Sequence, residues 1–374
     1  MNTAHKNQRN SNLELLRILA MIFIVVFHLA RHGFDGVPFL LSNPNSTFLY
    51  FFGTLGKLGV DIFIIISAYF MVKQRFTIRK LLILGGEVYF YSILCLIIFT
   101  LFLTPLTPIS TQDILKSILP ISHGYWFIAD YIVLMLLSPF LNIAIHKLSK
   151  SDFLKLLLLV LILWTVFPTF TGECFGICEM IFFFVLYLIG GFIRLHVDVD
   201  KINMKKLILF CIFSLIITTI LFGGFDSINS LSQLSTFNKE TSIIKQTYSI
   251  FIVSSAISLF LIFLKRKEFS NKYINYISGS VLGVYLIHSN VFVWPWLFRS
   301  FLHAQTRINS PNLFIFCIIS VILIYIICTG IDIVRRITIE KLWIWIVDNK
   351  LNNLPKWCNH KFEIFEEKIS YYLK

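Results

Sequence analysis

Ten long apolar runs constrain this chain more than any other feature of its sequence. A helix needs about 20 apolar residues to cross about 30 Å of hydrocarbon. The runs lie at about 14–32, 48–72, 81–103, 126–146, 153–170, 177–195, 204–224, 243–264, 274–298 and 312–335. With 57% of residues apolar and only 14% charged, the chain has more apolar surface than a soluble core needs. The sequence therefore predicts an all-α, polytopic integral membrane protein of about ten transmembrane helices.

Lysine and arginine alternate between the two sides of these predicted spans. Short cytoplasmic loops carry the excess of both residue types. With the amino terminus inside, the inner segments hold Lys6, Arg9, Lys73, Arg75, Arg79, Lys80, Lys147, Lys150, Lys155, Arg194, Lys201, Lys205, Lys206, Lys265, Arg266, Lys267 and Lys272. Both termini are therefore predicted in the cytoplasm, and the protein in the plasma membrane. Topology and attraction to anionic lipid account for the net charge of +13, so nucleic acid is not a predicted partner.

The chain is predicted to form one membrane domain, residues 11–336, followed by a cytoplasmic tail, residues 337–374. The first run, Leu13 to Ala30, is longer than the apolar part of a secretory signal and lacks a small-residue cleavage site, so it is predicted to be a retained span. The run from Leu342 to Val347 is too short to cross. The tail is therefore predicted to be basic, amphipathic and bound to the membrane surface.

The seven cysteines show no metal-ligand spacing, so no metal site is predicted. Cys174 and Cys178 share a predicted outer loop. In an oxidising compartment they either pair or remain free thiols.

The first span carries a polar stripe. Glu14, Arg17, Met21, Ile24 and His28 are spaced 3, 4, 3 and 4 apart and so share one helix face. Polar groups cost roughly 2.5–3.5 kcal/mol each at the centre of a membrane helix, so they mark candidate functional sites. Arginine suits phosphate or carboxylate, and a neutral histidine accepts a proton from a hydroxyl. Alternatively, the arginine snorkels to the headgroups and the histidine satisfies a neighbouring polar group.

The second span and the segment after it carry further charges. Lys57 and Asp61 are four residues apart and are predicted to pair, either as a structural ion pair or as part of a site. Arg75 and Arg79 belong to a basic segment on the predicted inner face. That segment either holds a phosphorylated donor or follows the positive-inside rule alone. Glu87 and Glu179 are intramembrane acids with no predicted partner.

Two later segments combine aromatic and polar residues. Trp126 and Tyr131 lie at the predicted outer start of the fourth span, as carbohydrate-stacking rings or as ordinary interface residues. Tyr285 and His288 are three apart on the ninth span, at a predicted depth comparable to that of His28. His288 is either a site residue or a core histidine bonded to a neighbour.

Four segments resemble the membrane-bound acyltransferase 3 family over about residues 11–336. The opening segment is Asn12-Leu-Glu14-Leu-Leu-Arg17, followed by ten residues and His28. The other three are Gly59-Val-Asp61-Ile-Phe63-Ile-Ile-Ile-Ser67, Gly124-Tyr-Trp126-Phe-Ile-Ala-Asp-Tyr131 and Tyr285-Leu-Ile-His288. The chain departs from the family pattern at Ala68, where glycine is usual, and at Ile64, where an aromatic residue is common. It resembles the stand-alone form of polysaccharide O-acetyltransferases.

The resemblance implies an O-acetyltransferase that moves an acyl group, usually acetyl, from cytoplasmic acetyl-CoA to a hydroxyl of a surface or lipid-linked glycan. It implies Arg17, Arg75 and Arg79 as CoA-binding residues. His28 would be the general base or a transient acyl carrier. Asp61 and His288 would complete the catalytic group, and Lys57, Trp126, Tyr131 and Tyr285 the substrate site.

A different class of protein also fits ten helices with buried charges. A transporter of a glycan intermediate or a small solute is the alternative, although the sequence shows no inverted repeat. The polar groups suit helix packing within one chain or between chains, so a homo-oligomer stays open. The glycan, the hydroxyl and the acyl group are not determined by the sequence.

Overall fold

A computed structural model describes residues 9–34, 44–103, 109–171, 179–232, 248–351 and 353–372. Eight helices there are long and apolar enough to cross a membrane. They are α1 Ser11–Gly33, α2 Pro44–Met71, α3 Ile78–Leu103, α4 Trp126–Lys147, α5 Lys150–Thr171, α6 Glu179–His196, α7 Met204–Ser232 and, later in the chain, Leu313–Ile337. No strand occurs in these described ranges. The predicted all-α polytopic fold is confirmed.

The remaining two predicted spans differ from straight 20-residue helices. The eighth corresponds to α8, Ile250–Lys265, which has 16 residues. The ninth is broken into α9, Lys272–Ser278, and α10, Val281–His288, and bends by 83° into the segment Val293–Arg307. The long helix Leu313–Ile337 is α11, and it is followed by the tail helices α12, Ile339–Asn349, and α13, Asn353–Tyr372.

Polar side chains explain both breaks in the ninth predicted span. At the first break, the Arg336 guanidinium donates to the Tyr276 carbonyl at 2.8 Å and to Ser280 Oγ at 3.1 Å, so it satisfies backbone and side chain where α9 ends. At the second, Asn290 Oδ1 accepts a bond from the Phe292 amide at 3.1 Å, and its amide group donates to Tyr125 at 2.9 Å. A helix interruption away from water requires such substitute partners.

Small residues bring α1, α2 and α6 together. A Cβ added to Gly59 of α2 would lie 2.5 Å from the Ala20 carbonyl oxygen of α1, and one added to Gly190 of α6 would lie 2.6 Å from Ala68 Cβ. Glycine at these positions allows the close helix approach typical of membrane proteins. Ala68, at which the chain departs from the family pattern, is thus itself a packing residue of this contact.

A buried ion cluster connects α3 to α11 and gives Glu87 the partner that the sequence did not indicate. The Arg335 guanidinium lies 3.1 Å from Glu87 and 2.8 Å from Asp332. Tyr91 donates to Asp332 at 2.7 Å. Charges inside a membrane domain are stabilised by such mutual pairing.

The opening segment of α1 holds the loop between α8 and α9, which lies on the predicted cytoplasmic side. Asn10 caps α1 by accepting a bond from the Asn12 amide at 2.9 Å. The buried Asn12 side chain donates to the carbonyl oxygens of Arg266 at 3.3 Å and Lys267 at 3.0 Å. Ser11 donates to Asn275 at 2.7 Å. The start of α1 is thereby fixed to the connection between α8 and α9.

We expect Asn12→Ala to lower the free energy of unfolding by about 1–3 kcal/mol, because it removes two hydrogen bonds between a buried side chain and the loop. Thermal unfolding in detergent measures the change. Lys267→Ala is the matched control, since it removes a side chain from the same loop but keeps the carbonyl that Asn12 binds. Equal stability of the two variants would contradict the assignment of Asn12 as a loop clamp.

Candidate active site

A cavity of about 720 Å³ lies between α1, α2, α4 and the broken helix pair α9 and α10. The α1 stripe predicted from residue spacing forms one wall, with Arg17, Met21, Ile24 and His28 all lining it. The α2 wall includes Lys57, Val60 and Ser67. From the other side Gly124, Tyr125, Trp126, Phe127, Asp130, Tyr131, Glu179, Ser278, Gly279, Leu282, Tyr285 and Trp294 contribute.

Arg17 lies in the cavity wall near the start of α1. One guanidinium nitrogen donates to both carboxylate oxygens of Glu14, at 2.9 and 3.1 Å. The Phe70 ring lies 5.7 Å from the guanidinium carbon. Because Glu14 is buried and the Arg17 side chain is 29% exposed, the pair orients the guanidinium while leaving part of it accessible to a ligand. Glu14, the first residue of the stripe, therefore acts through Arg17.

His28 and His288 are in direct contact, although 260 residues separate them in the chain. His28 Nδ1 lies 2.9 Å from His288 Nε2. His288 Nδ1 lies 2.6 Å from the Val284 carbonyl oxygen one turn earlier in α10. His288 is fully buried, whereas His28 is partly exposed and lines the cavity.

These contacts determine the proton positions of the neutral pair. A carbonyl oxygen only accepts, so His288 Nδ1 carries the proton and His288 Nε2 is an acceptor. His28 Nδ1 must then donate to it, which leaves His28 Nε2 unprotonated. The arrangement makes the cavity-lining histidine ready to take a proton, with its ring orientation fixed from behind by a second histidine.

Lys57 lines the cavity, but the predicted direct ion pair with Asp61 is not formed. Asp61 is fully buried, and neither carboxylate oxygen has a hydrogen-bond partner among the described residues. The Lys57 ammonium instead lies 5.7 Å from the centre of the Phe27 ring. The prediction of pairing was wrong because the Lys57 side chain extends to the cavity while Asp61 remains in the protein interior, outside the cavity wall.

Aromatic rings of α4 and of the bent segment after α10 line the cavity. Trp126, Phe127 and Tyr131 come from α4, and Tyr131 donates to Ser67 at 3.4 Å. Trp294, from the bent segment after α10, stacks on His32 at 4.4 Å between ring centres. Sequence reasoning missed Trp294, because only the bend of 83° brings it to this wall.

Tyr285 joins this wall from α10, one turn before His288. Its ring centre lies 6.5 Å from that of His28 and 5.7 Å from that of Phe127. All four residues predicted for the substrate site, which are Lys57, Trp126, Tyr131 and Tyr285, therefore line the same cavity as Arg17 and His28.

Arg75 and Arg79 lie outside the cavity wall and contact the tail. Arg79 makes a two-pronged pair with Asp348 of α12, at 2.7 and 2.9 Å, and this hydrogen bonding holds the pKa of Asp348 below its ordinary value. Arg75 lies 3.8 Å from Glu363 of α13. The geometry brings Arg17 alone of the three predicted CoA-binding arginines to the cavity.

Within the described ranges no group of His, Cys, Asp and Glu side chains has a geometry that could hold a metal ion. Cys174 and Cys178 lie outside these ranges, so their predicted alternatives stay predictions.

A polytopic helical fold with a polar cavity between its helices defines a membrane protein with an internal ligand site. Residues 10–329 match the family model of the acyltransferase 3 domain, described as an acyltransferase domain, and the chain belongs to this family. It is thus a multi-pass membrane acyltransferase, as the four sequence segments indicated. No curated protein and no solved structure matches the chain.

Proposed function

We propose that this acyltransferase moves an acetyl group from cytoplasmic acetyl-CoA to a hydroxyl of a surface polysaccharide or its lipid-linked precursor at the plasma membrane. The observation that carries the proposal is one continuous cavity with Arg17 towards one end and His28 towards the other. Eleven residues separate them on α1, which corresponds to about 16 Å along the helix axis. The donor and the acceptor would therefore meet inside the membrane domain.

The donor would enter from the predicted cytoplasmic side. A guanidinium binds phosphate through charge-assisted hydrogen bonds, so Arg17 would hold an anionic part of CoA at the inner mouth. The apolar Met21 and Ile24 would line the path of the pantetheine arm towards His28. Arg79, and less directly Arg75, would add phosphate contacts only after exchanging their acidic partners in the tail.

The transfer step uses His28 as general base. His28 Nε2 takes the proton of the acceptor hydroxyl while the hydroxyl oxygen forms a bond to the thioester carbonyl carbon. The carbon–sulfur bond then breaks, and the proton passes from His28 to the departing sulfur to give free CoA. His288 Nε2 accepts from His28 Nδ1 throughout and so stabilises the ring while it is positively charged. If the acyl group rests first on His28, the same base position serves as nucleophile.

The aromatic and acidic walls of the cavity suit a sugar acceptor. The rings of Trp126, Tyr131 and Trp294 offer apolar faces for the C–H surface of a pyranose ring. The carboxylates of Asp130 and Glu179 line the same region and accept hydrogen bonds from hydroxyl groups. Mixed aromatic and carboxylate walls support a hydroxyl-rich ligand more than a purely apolar one.

The experiment that tests the proposal uses the protein purified in nanodiscs with radiolabelled acetyl-CoA and lipid-linked or surface glycan. We expect labelled acetyl to appear on the glycan in an alkali-labile ester. Glycan export is measured in parallel in cells. If a deletion strain loses glycan export but keeps glycan acetylation, the protein is a transporter and the proposal is wrong. If the purified protein turns over no acyl-CoA, the donor assignment is wrong.

We expect Arg17→Gln to raise KM for acetyl-CoA by about 10- to 100-fold, because it removes a charge-assisted hydrogen bond of about 1.5–3 kcal/mol. The chemistry at His28 remains, so kcat at saturating donor should change much less. Steady-state kinetics over a range of acetyl-CoA concentrations separate the two effects.

Arg9→Gln is the control for Arg17, since Arg9 is an exposed arginine just before α1 and is absent from the cavity wall. An unchanged donor KM in Arg17→Gln, with kcat reduced instead, would contradict a donor-binding role. Glu14→Gln should reproduce part of the KM effect, because it leaves the guanidinium without its orienting partner.

A further inference from the structure

Lys57 is a cation in the cavity wall that the transfer step described above does not use. It lies beside the histidine pair. Its ammonium is 5.7 Å from the Phe27 ring centre, and the Phe27 and His28 ring centres are 5.6 Å apart. Lys57 is also close enough to His28 for the two groups to interact electrostatically. A positive charge is therefore present at the depth where the base is located.

The packing of α2 on α1 fixes this position. Gly56, the residue before Lys57, lies directly against the Phe27 side chain and leaves no room for a Cβ atom. Gly59 makes the equivalent contact with Ala20 about one turn deeper. Because the α2 backbone is held this close to α1, the long Lys57 side chain is confined to the cavity next to His28.

Asp61 is the acid on the same helix that attracts the Lys57 ammonium. Its carboxylate is fully buried without a hydrogen-bond partner in the described part of the chain, one helical turn, or about 6 Å, from Lys57. Glu179 and Asp61 attract the ammonium, whereas Arg31 repels it. An unpaired buried carboxylate is costly, and the attraction of the Lys57 ammonium on the same helix offsets part of that cost.

We propose that Lys57 stabilises the oxyanion formed during acyl transfer and that Asp61 positions its charge; this rests on the proposed function. When the acceptor oxygen bonds to the thioester carbon, an electron pair moves onto the carbonyl oxygen. The ammonium donates a hydrogen bond to that oxygen and keeps its proton. The pair returns when the carbon–sulfur bond breaks, and Lys57 ends unchanged. A donor aimed at developing charge in a site shielded from water strongly lowers the barrier.

The test compares wild type with Lys57→Met, Lys57→Gln and Asp61→Asn in nanodiscs. Lys57→Met should lower kcat for acetyl transfer by about 10²- to 10³-fold, as removal of an oxyanion donor does. Acetyl-CoA binding by isothermal titration and KM for the glycan should stay within about twofold. Lys57→Gln keeps a donor without the charge and should retain more activity than Lys57→Met. Size-exclusion profiles establish that each variant is folded.

Asp61→Asn distinguishes positioning from packing. It should lower kcat in the wild-type background but have no further effect in Lys57→Met, because it acts through the ammonium. A rise in glycan KM alone in Lys57→Met would make Lys57 an acceptor-binding group and overturn the inference, as would unchanged kinetics. Inactive wild type would instead refute the proposed function. If Lys57→Met does not fold, a Lys57→Gln variant with wild-type kcat overturns the inference by itself.

Discussion

His28→Ala should abolish acetyl transfer while the protein remains folded in the membrane. General-base catalysis by a positioned side chain contributes about 10²- to 10⁴-fold, so kcat should fall by at least that range. Donor binding should persist, because Arg17 lies 11 residues away on α1. The measurement is acetyl transfer from radiolabelled acetyl-CoA to the glycan, together with acetyl-CoA binding by titration.

His146→Ala is the matched control for this substitution. His146 lies at the opposite end of α4, is exposed and bonds to the Asn142 carbonyl, so its loss should leave kcat unchanged.

A labelling experiment tests whether His28 carries the acyl group. In that case, wild-type protein that is incubated with labelled donor alone and then quenched with acid would retain label, and His28→Ala would not. Transfer by His28→Ala at the wild-type rate would show that another group removes the acceptor proton.

Local periodicity predicted the parts of this molecule that depend on neighbouring residues. The stripe from Arg17 to His28 follows from the 3.6-residue repeat alone, and the structure places it along the cavity. The same kind of argument paired Lys57 with Asp61, because side chains four apart share a helix face. The pairing prediction failed because Lys57 extends into the cavity whereas Asp61 stays in the protein interior. Residue spacing along a helix does not show this difference.

Contacts between distant segments were beyond the sequence. Glu87 contacts Arg335, which lies 248 residues later in the chain. Asn12 contacts the loop at Lys267, which lies 255 residues later. Trp294 reaches the cavity only because Asn290 stabilises a bend. Each of these depends on tertiary structure, whereas the existence of the apolar spans depends on composition within each run.

The sequence predicts that His28 and His288 lie at a comparable depth in the membrane, and the structure adds the direct hydrogen bond of 2.9 Å between them. We expect His288→Ala to lower kcat by about 10²-fold. Without His288 Nε2, nothing in the described structure holds the proton on His28 Nδ1, and the tautomer with Nε2 protonated cannot act as base. His288 is thus a positioning residue, and substitution of such orienting groups typically costs 10- to 100-fold.

His288→Gln separates positioning from simple filling of the buried space. A glutamine amide can donate to the Val284 carbonyl with its nitrogen and accept from His28 Nδ1 with its oxygen, so this variant should recover kcat to within about tenfold of wild type. His288→Leu fills similar volume but offers no acceptor, and should remain as impaired as His288→Ala. Equal activity of the Gln and Leu variants would show that His288 contributes packing alone. If only His288→Gln recovers activity, a hydrogen-bond acceptor on α10 holds the proton on His28 Nδ1. The general base then depends on residues from two helices that are distant in sequence.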